Sequence, residues 1–224
     1  MHNQIILMGD VTASSRREAG RVREWLAGAV ATINDTQAAD IRSPLTVTLG
    51  DEFQGVVASA GAAMRIVFAL DALCLEADPP IDLHYVILEG SIETPVNPDI
   101  AHGMLGPGLT RARQLLTEKP TQKRRRARCT IELADVTLTA IAADILLALE
   151  GLLARWNAAE RPYAAVLLDE PDDSVAADRL DRDRTSVYRR RGTLLVEEYR
   201  ALQSALLTIL DRGLAPRRGG DDDR

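Results

Sequence analysis

Aromatic residues make up only 4% of this chain, against 46% hydrophobic residues in all. A core of ordinary size must therefore be filled by Leu, Val, Ile and Ala rather than by stacked rings. Two cysteines exclude a disulfide framework. Cys74 falls on the apolar stripe of a predicted helix and Cys129 in a predicted strand, so both are expected as buried free thiols. The three histidines, His2, His84 and His102, stand apart and offer no zinc spacing. His84 lies inside an alternating strand and reads as a packed or surface residue. No Ser-His-Asp or Cys-His pattern supports nucleophilic catalysis. No apolar run is read as long enough to span a membrane, and residues 4–8 are too short for a signal peptide. A cytoplasmic, reducing setting without a membrane partner is expected. Positive charge is not in excess either. Lys and Arg number 27 against 33 Asp and Glu, for a net charge of −6, so there is no global nucleic-acid signature.

What is present is a clear alternation of periods. Residues 4–8 form a short apolar strand ending at Gly9-Asp10. Val22, Trp25, Leu26, Ala29, Val30 and Ile33 then recur at helical spacing, with Ser14 or Ser15 as a cap and Asn34-Asp35 as the end. Residues 45–49 alternate as a strand, Gly50-Asp51-Glu52 turns the chain, and residues 53–57 return, which predicts a hairpin with an acidic tip. A helix over about 60–77 is stopped by Pro79-Pro80. A strand over 83–88, a Pro/Gly-rich loop over 94–108, a short helix and a strand over about 127–133 complete the order β-α-β-β-α-β-α-β. That order predicts an α/β (α+β) fold, a mixed sheet with packed helices. Beyond Ala134 only helical periods remain. The expected domains are an α/β domain over 1–135, a helical region over 136–215 and a disordered tail over 216–224.

Asp10, Asp51 and Glu52 are the candidate metal ligands. If the first strand neighbours the hairpin, their carboxylates gather at one end of the sheet. Two such charges about 6 Å apart repel by roughly 3 kcal/mol at an effective dielectric of 20. Mg²⁺ or Mn²⁺ is the usual compensation, with one or two carboxylates joined by water and phosphate oxygens. The plainer reading is that Gly-Asp is a common hairpin dipeptide and that Asp after a strand is an ordinary helix cap.

Local basic charge lies in two runs. Lys119, Lys123, Arg124, Arg125, Arg126 and Arg128 read as a solvated loop between helix and strand. Arg182, Arg184, Arg189, Arg190 and Arg191 fall in a helix-turn-helix pattern over about 158–192. Ala177 would sit at the close helix contact, Leu180 and Val187 would fill the wedge, Asp183 would cap the second helix, and Asp181-Arg182 would form the turn. Arg184, Thr185, Tyr188 and Arg189 would then face outward as DNA-contacting residues. A helical bundle with a solvated charged face explains the same pattern. The last helix, with Leu195, Tyr199, Leu202, Leu206 and Ile209 on one face, suits a homodimer seam or packing within the chain.

Residues 5–11 with Ser14-Ser15-Arg16, the block Thr48-Leu49-Gly50-Asp51-Glu52-Phe53-Gln54-Gly55, and more weakly Gly106-Pro107 through Arg113 resemble the SatD family. The resemblance implies the α/β domain and a C-terminal helix-turn-helix over the whole chain, and it implies organisation more than activity. The same blocks are distantly similar to class III nucleotide cyclases and the diguanylate-cyclase domain. That similarity implies a ferredoxin-like, nucleotide-cyclase-like sheet with Asp10 and Asp51 as metal ligands and Glu52 joining or replacing Asp51. Gly9, Gln54, Arg111 and Arg113 would then lie at a nucleotide, with an arginine facing phosphate or base. Leu49 stands where the diguanylate motif has a second glycine, and the purine-selecting Lys and Asp of cyclases have no counterpart. Three functions follow: a DNA-binding transcriptional regulator with a nucleotide- or metal-binding sensory domain, a metal-dependent nucleotide cyclase or nucleotidyltransferase-like enzyme, or a non-catalytic adaptor.

Overall fold

A nine-residue strand with an apolar middle, β1 (Asn3–Val11), runs through the centre of the sheet. Leu7 and Val11 face one side and Ile6 and Met8 the other, and both sides are covered, which is why the run is nearly continuous in hydrophobicity. The computed structural model describes residues 3–12, 19–79, 81–118 and 128–213. After β1 come α1 (Ala19–Thr36), β2 (Ile41–Val47), β3 (Glu52–Val57), α2 (Ala60–Glu76), β4 (Leu83–Ser91), α3 (Pro107–Thr117) and β5 (Cys129–Glu132). The sheet order is β2-β3-β1-β4-β5. The β1/β3, β1/β4 and β2/β3 pairs are antiparallel, and β4/β5 is parallel. The mixed sheet and the order of its elements are those read from the alternating periods.

Helices α1 and α2 cover one face, where Leu7, Leu26, Ile33, Phe53, Leu70 and Tyr85 form the large core. α3 and the Pro/Gly-rich loop cover the other, over Ile6, Met8, Val56, Val86, Leu88 and Met104. α3 comes close to β4 because glycine faces glycine: a Cβ on Gly90 would lie 2.8 Å from Gly108 Cα. Asn34 does not end α1. Its side-chain amide donates to Leu45 O and accepts from Leu45 N, each at 2.8 Å, which pins α1 to β2. The expected caps Ser14 and Ser15, the run 119–126 and the tail 216–224 lie outside the described residues.

Five helices follow: α4 (Val136–Leu153), α5 (Arg161–Asp169), α6 (Asp173–Leu180), α7 (Arg184–Thr193) and α8 (Val196–Arg212). Asp135, at the expected boundary, caps α4 by accepting from Thr137 N and Leu138 N. α8 packs on α4 and α2, so its apolar row is covered within the chain. Trp156 Nε1 donates to Leu194 O at 3.0 Å, and its ring lies 5.2 Å from that of Tyr199. The helical region and the sheet thus share one core. α4 corrects one expectation. Its 18 residues, with mean hydropathy 1.9, are long and apolar enough to cross a membrane by length and composition, although Leu138, Ala142, Leu146, Leu149 and Leu153 are docked in that core.

Both cysteines are buried and free, and burial pushes both thiols up. Arg128 is not in a solvated loop. It is half-buried against the buried Asp71 of α2, which also accepts from Tyr85 Oη at 2.8 Å. The guanidinium carbon lies 5.9 Å from the centre of the Tyr85 ring. A carboxylate as deep as Asp71 persists as a charge only when paired and hydrogen-bonded.

Candidate functional site

Asp10 lies within β1 rather than after it, and this placement builds the site. In the sheet register it faces Glu52 of β3 on one side and His84 of β4 on the other. Side chains alternate along a strand, so Asp10 shares the parity of Met8, and Glu52 and His84 share the parity of Val56 and Val86. All three therefore emerge in one row on the α3 face. Their side chains are 29%, 18% and 2% exposed, respectively. His84 Nδ1 is 3.3 Å from Asp10 Oδ1 but is not aligned as a hydrogen bond. Asp10 Oδ1 and both ring nitrogens of His84 are buried without a hydrogen-bond partner. Buried polar atoms are normally satisfied, so three orphans at one spot call for a reason.

Arg113 reaches the row from α3, with Nη2 3.6 Å from Glu52 Oε2. Burial raises the Glu52 pKa above the usual carboxylate range. Arg113 opposes that rise, and the charges of Asp10 and Asp51 add to it. The row sets two carboxyl groups side by side, with the Arg113 guanidinium at its margin.

The other expected site residues divide. Asp51 is exposed at the hairpin tip, and its backbone oxygen accepts from Val11 N at 2.9 Å. Gly9 faces the opposite side of the sheet, where a Cβ would lie 2.5 Å from a Phe53 ring carbon, so it makes room for packing. Gln54 Nε2 donates to Ala101 O and ties the Pro/Gly-rich loop to the sheet. Arg111 is held by Glu132, at 2.9 Å and 3.3 Å, and by Glu118 at 3.3 Å. Arg113, not Arg111, meets the carboxylates. Among the described residues no three His, Cys, Asp or Glu side chains gather as a metal cage. Asp10 and Glu52 are still the donor set Mg²⁺ or Mn²⁺ favours, two carboxylates with other positions left to water and phosphate oxygens, and the orphaned Asp10 Oδ1 fits such a role.

Two cavities adjoin the row. One of about 390 Å³ lies on the α3 face beside Arg113, lined by Met8, Thr48, Leu49, Gln54 and Met104. The other, about 220 Å³, opens at the same end of the sheet and is lined by His84, Asp71, Arg128, Glu150 and Arg161. His84 borders the second cavity while standing in the row. The sequence reading of His84 as a packed or surface residue holds in its first form, since the side chain is buried, and the parity of β4 sets it on the side of Val86.

The C-terminal residues form a pair of short helices. α6 ends at Asp181, whose φ of 51° is left-handed, and Asp183 caps α7 by accepting from Ser186 N at 2.9 Å. Ala177 and Val187 are buried where the helices meet. Arg184, Thr185, Tyr188 and Arg189 are all exposed, Tyr188 by 69%. Arg182 is exposed as well and donates to the Asp181 carbonyl beside it, whereas the last two arginines of the basic run are used internally. Arg190 pairs with Glu160 at 2.7 Å. Arg191 is buried and donates to Asp173 Oδ1, Leu167 O and Glu170 O.

No curated protein matches the chain in sequence. The SatD family model matches residues 4–172, which takes in the whole sheet and ends just before α6. The match thus leaves α6, α7 and α8 outside it, rather than running over the whole chain as the resemblance implied. It covers well over half of the sequence, and on that ground the chain belongs to the SatD family.

Proposed function

We propose that this chain is a ligand-responsive, DNA-binding regulator whose sheet-end site holds a phosphate-bearing ligand, a nucleotide, together with Mg²⁺ or Mn²⁺. The observation that carries the reading is the Glu52–Asp10–His84 row with its orphaned buried atoms. Asp10 and Glu52 hold the metal, Arg113 meets a phosphate oxygen, and His84 orients Asp10 from behind. A bound divalent ion neutralises the crowded carboxylates and draws phosphate to them. The strand order, with β3 antiparallel between β2 and β1 and β4 beyond β1, reads as ferredoxin-like and nucleotide-cyclase-like, which favours a nucleotide as the ligand. α6 and α7 read as a helix-turn-helix, and the exposed Arg184, Thr185, Tyr188 and Arg189 as its DNA-contacting face.

The test is a Mn²⁺ titration followed by electron paramagnetic resonance, with and without a nucleoside triphosphate. Wild type is expected to bind the ion, more tightly with nucleotide, and Asp10→Asn and Glu52→Gln to lose binding. Wild-type protein that binds neither would end the sensory reading. A salt-sensitive gel shift against genomic fragments, lost in Arg184→Ala/Arg189→Ala, tests the DNA half.

The paired carboxylates and the strand order also favour a second reading, metal-dependent nucleotidyl transfer. Product from the same nucleotides that disappears with Asp10→Asn would establish it. A protein negative in every assay would be the adaptor.

A further inference from the structure

α4 buries only one of its faces. Leu138, Ala142, Leu146, Leu149 and Leu153 point into the core, while Val136 and Leu147 are 77% and 68% exposed. On a helical wheel the open side carries Val136, Ala140, Asp144, Leu147, Ala148 and Gly151, with Arg155 just beyond the helix end. Apart from Asp144 this side has no charge within the helix, and mean hydropathy over the helix is 1.9. An ordinary surface helix turns a polar side to water. Gly151 adds a second oddity. A Cβ there would meet nothing within 4 Å, so packing within the chain gives no reason for a glycine that weakens a helix by roughly 1 kcal/mol.

We infer that this side of α4 is the contact between two copies of the chain, paired antiparallel about a twofold axis that passes between Ala148 and Gly151. The charges select this register. In an antiparallel pair centred there, Ala148 faces the partner's Gly151, and Asp144 faces the partner's Arg155. The pair then forms twice, once on each side of the axis. Asp144 and Arg155 are both exposed, and neither has an ion-pair partner among the described residues. Small side chains at the crossing bring the backbones together, and Leu147 packs on the partner's face beside its Gly151. A twofold contact must be self-complementary in this way, since each residue is used once from each side. The inference is independent of the ligand and DNA readings, which concern other faces.

The experiment is sedimentation equilibrium of the full chain over a range of protein concentrations, with circular dichroism to confirm that each variant is folded. Wild type is expected to form dimers. Leu147→Glu and Gly151→Leu should each weaken the dimer at least about tenfold. Asp144→Arg and Arg155→Asp should each weaken it as well, and the double exchange Asp144→Arg/Arg155→Asp should restore it. A wild type that stays monomeric throughout overturns the inference, as does a dimer indifferent to both single charge reversals. Co-sedimentation with phospholipid vesicles that Leu147→Glu abolishes, from a protein that is monomeric in solution, would overturn it in favour of a lipid surface.

Discussion

Asp10 and Glu52 stand directly opposite one another on antiparallel strands, two carboxylates on the same side of the sheet. Like charges so placed destabilise a sheet by about 0.2–1 kcal/mol. Glu52 also has a raised pKa, from burial first and from Asp10 and Asp51 besides. A carboxyl whose folded pKa is raised favours the folded state below its unfolded pKa and loses that contribution as pH rises through the folded one. Glu52→Gln is therefore expected to raise the melting temperature of the metal-free protein at neutral pH and to change it little in acid. Scanning calorimetry at the two pH values checks this, and a variant less stable than wild type at neutral pH would contradict it.

Mn²⁺ affinity should carry the same signature. Proton and metal compete for Glu52, so affinity climbs with pH through a range above that of an ordinary carboxylate. Titration at several pH values measures it. An affinity independent of pH in that range would mean that Glu52 is not a ligand.

His84→Leu separates packing from positioning. The ring is 2% exposed and both its nitrogens are unpartnered, so leucine should fold at least as well as histidine. A group that orients a ligand typically contributes about 10–100-fold in metal affinity. The expected outcome is an unchanged or higher melting temperature with Mn²⁺ binding at least about tenfold weaker. Unchanged binding would reduce His84 to a core residue.

The legible part of this fold is the local part. Helical and strand periods gave the element order, and the loss of strand periods beyond Ala134 marked where the strands stop. What escaped was pairing across distance. The strand carrying Asp10 continues to Val11 because β3 pairs with it as far as Asp10 and β4 as far as Val11, which no property of residues 9–11 announces. Arg111 and Arg113 look equivalent in sequence, and only the position of Glu132 on β5 decides that the first is occupied. Arg128 ends a basic run, yet its partner Asp71 lies 57 positions earlier on α2. A charge is read as solvated until the group that neutralises it is known.

That buried pair makes its own prediction. Burial pushes Asp71 up, while the Arg128 guanidinium and the Tyr85 hydroxyl hold it down. Arg128→Met removes the main opposing charge and should cost about 3–5 kcal/mol at neutral pH. The deficit should shrink as pH falls, because Asp71 then takes up a proton and ceases to be an unpaired charge. Urea unfolding at neutral and mildly acidic pH measures both effects, and a deficit that grows in acid would mean that Asp71 is not the group left exposed to strain.

Neighbouring arginines on α7 should behave in opposite ways. Arg189 is exposed, and Arg191 is buried with four acceptors spread over α5, its C-terminal end, α6 and α8. Arg189→Ala is expected to leave stability within about 0.5 kcal/mol of wild type, as surface changes usually do. If α7 contacts DNA, the same change should lower affinity and reduce the salt dependence by the share of one phosphate contact. Arg191→Ala leaves the buried Leu167 carbonyl and the half-buried Asp173 and Glu170 carbonyl without their donor, and should cost about 3 kcal/mol of stability. Any loss of DNA binding in that variant should follow its loss of fold, recovering on cooling as the helices re-form. Calorimetry beside a gel shift on both variants resolves the two roles. A folded Arg191→Ala protein that cannot bind DNA would contradict the assignment of the contact to the exposed face of α7.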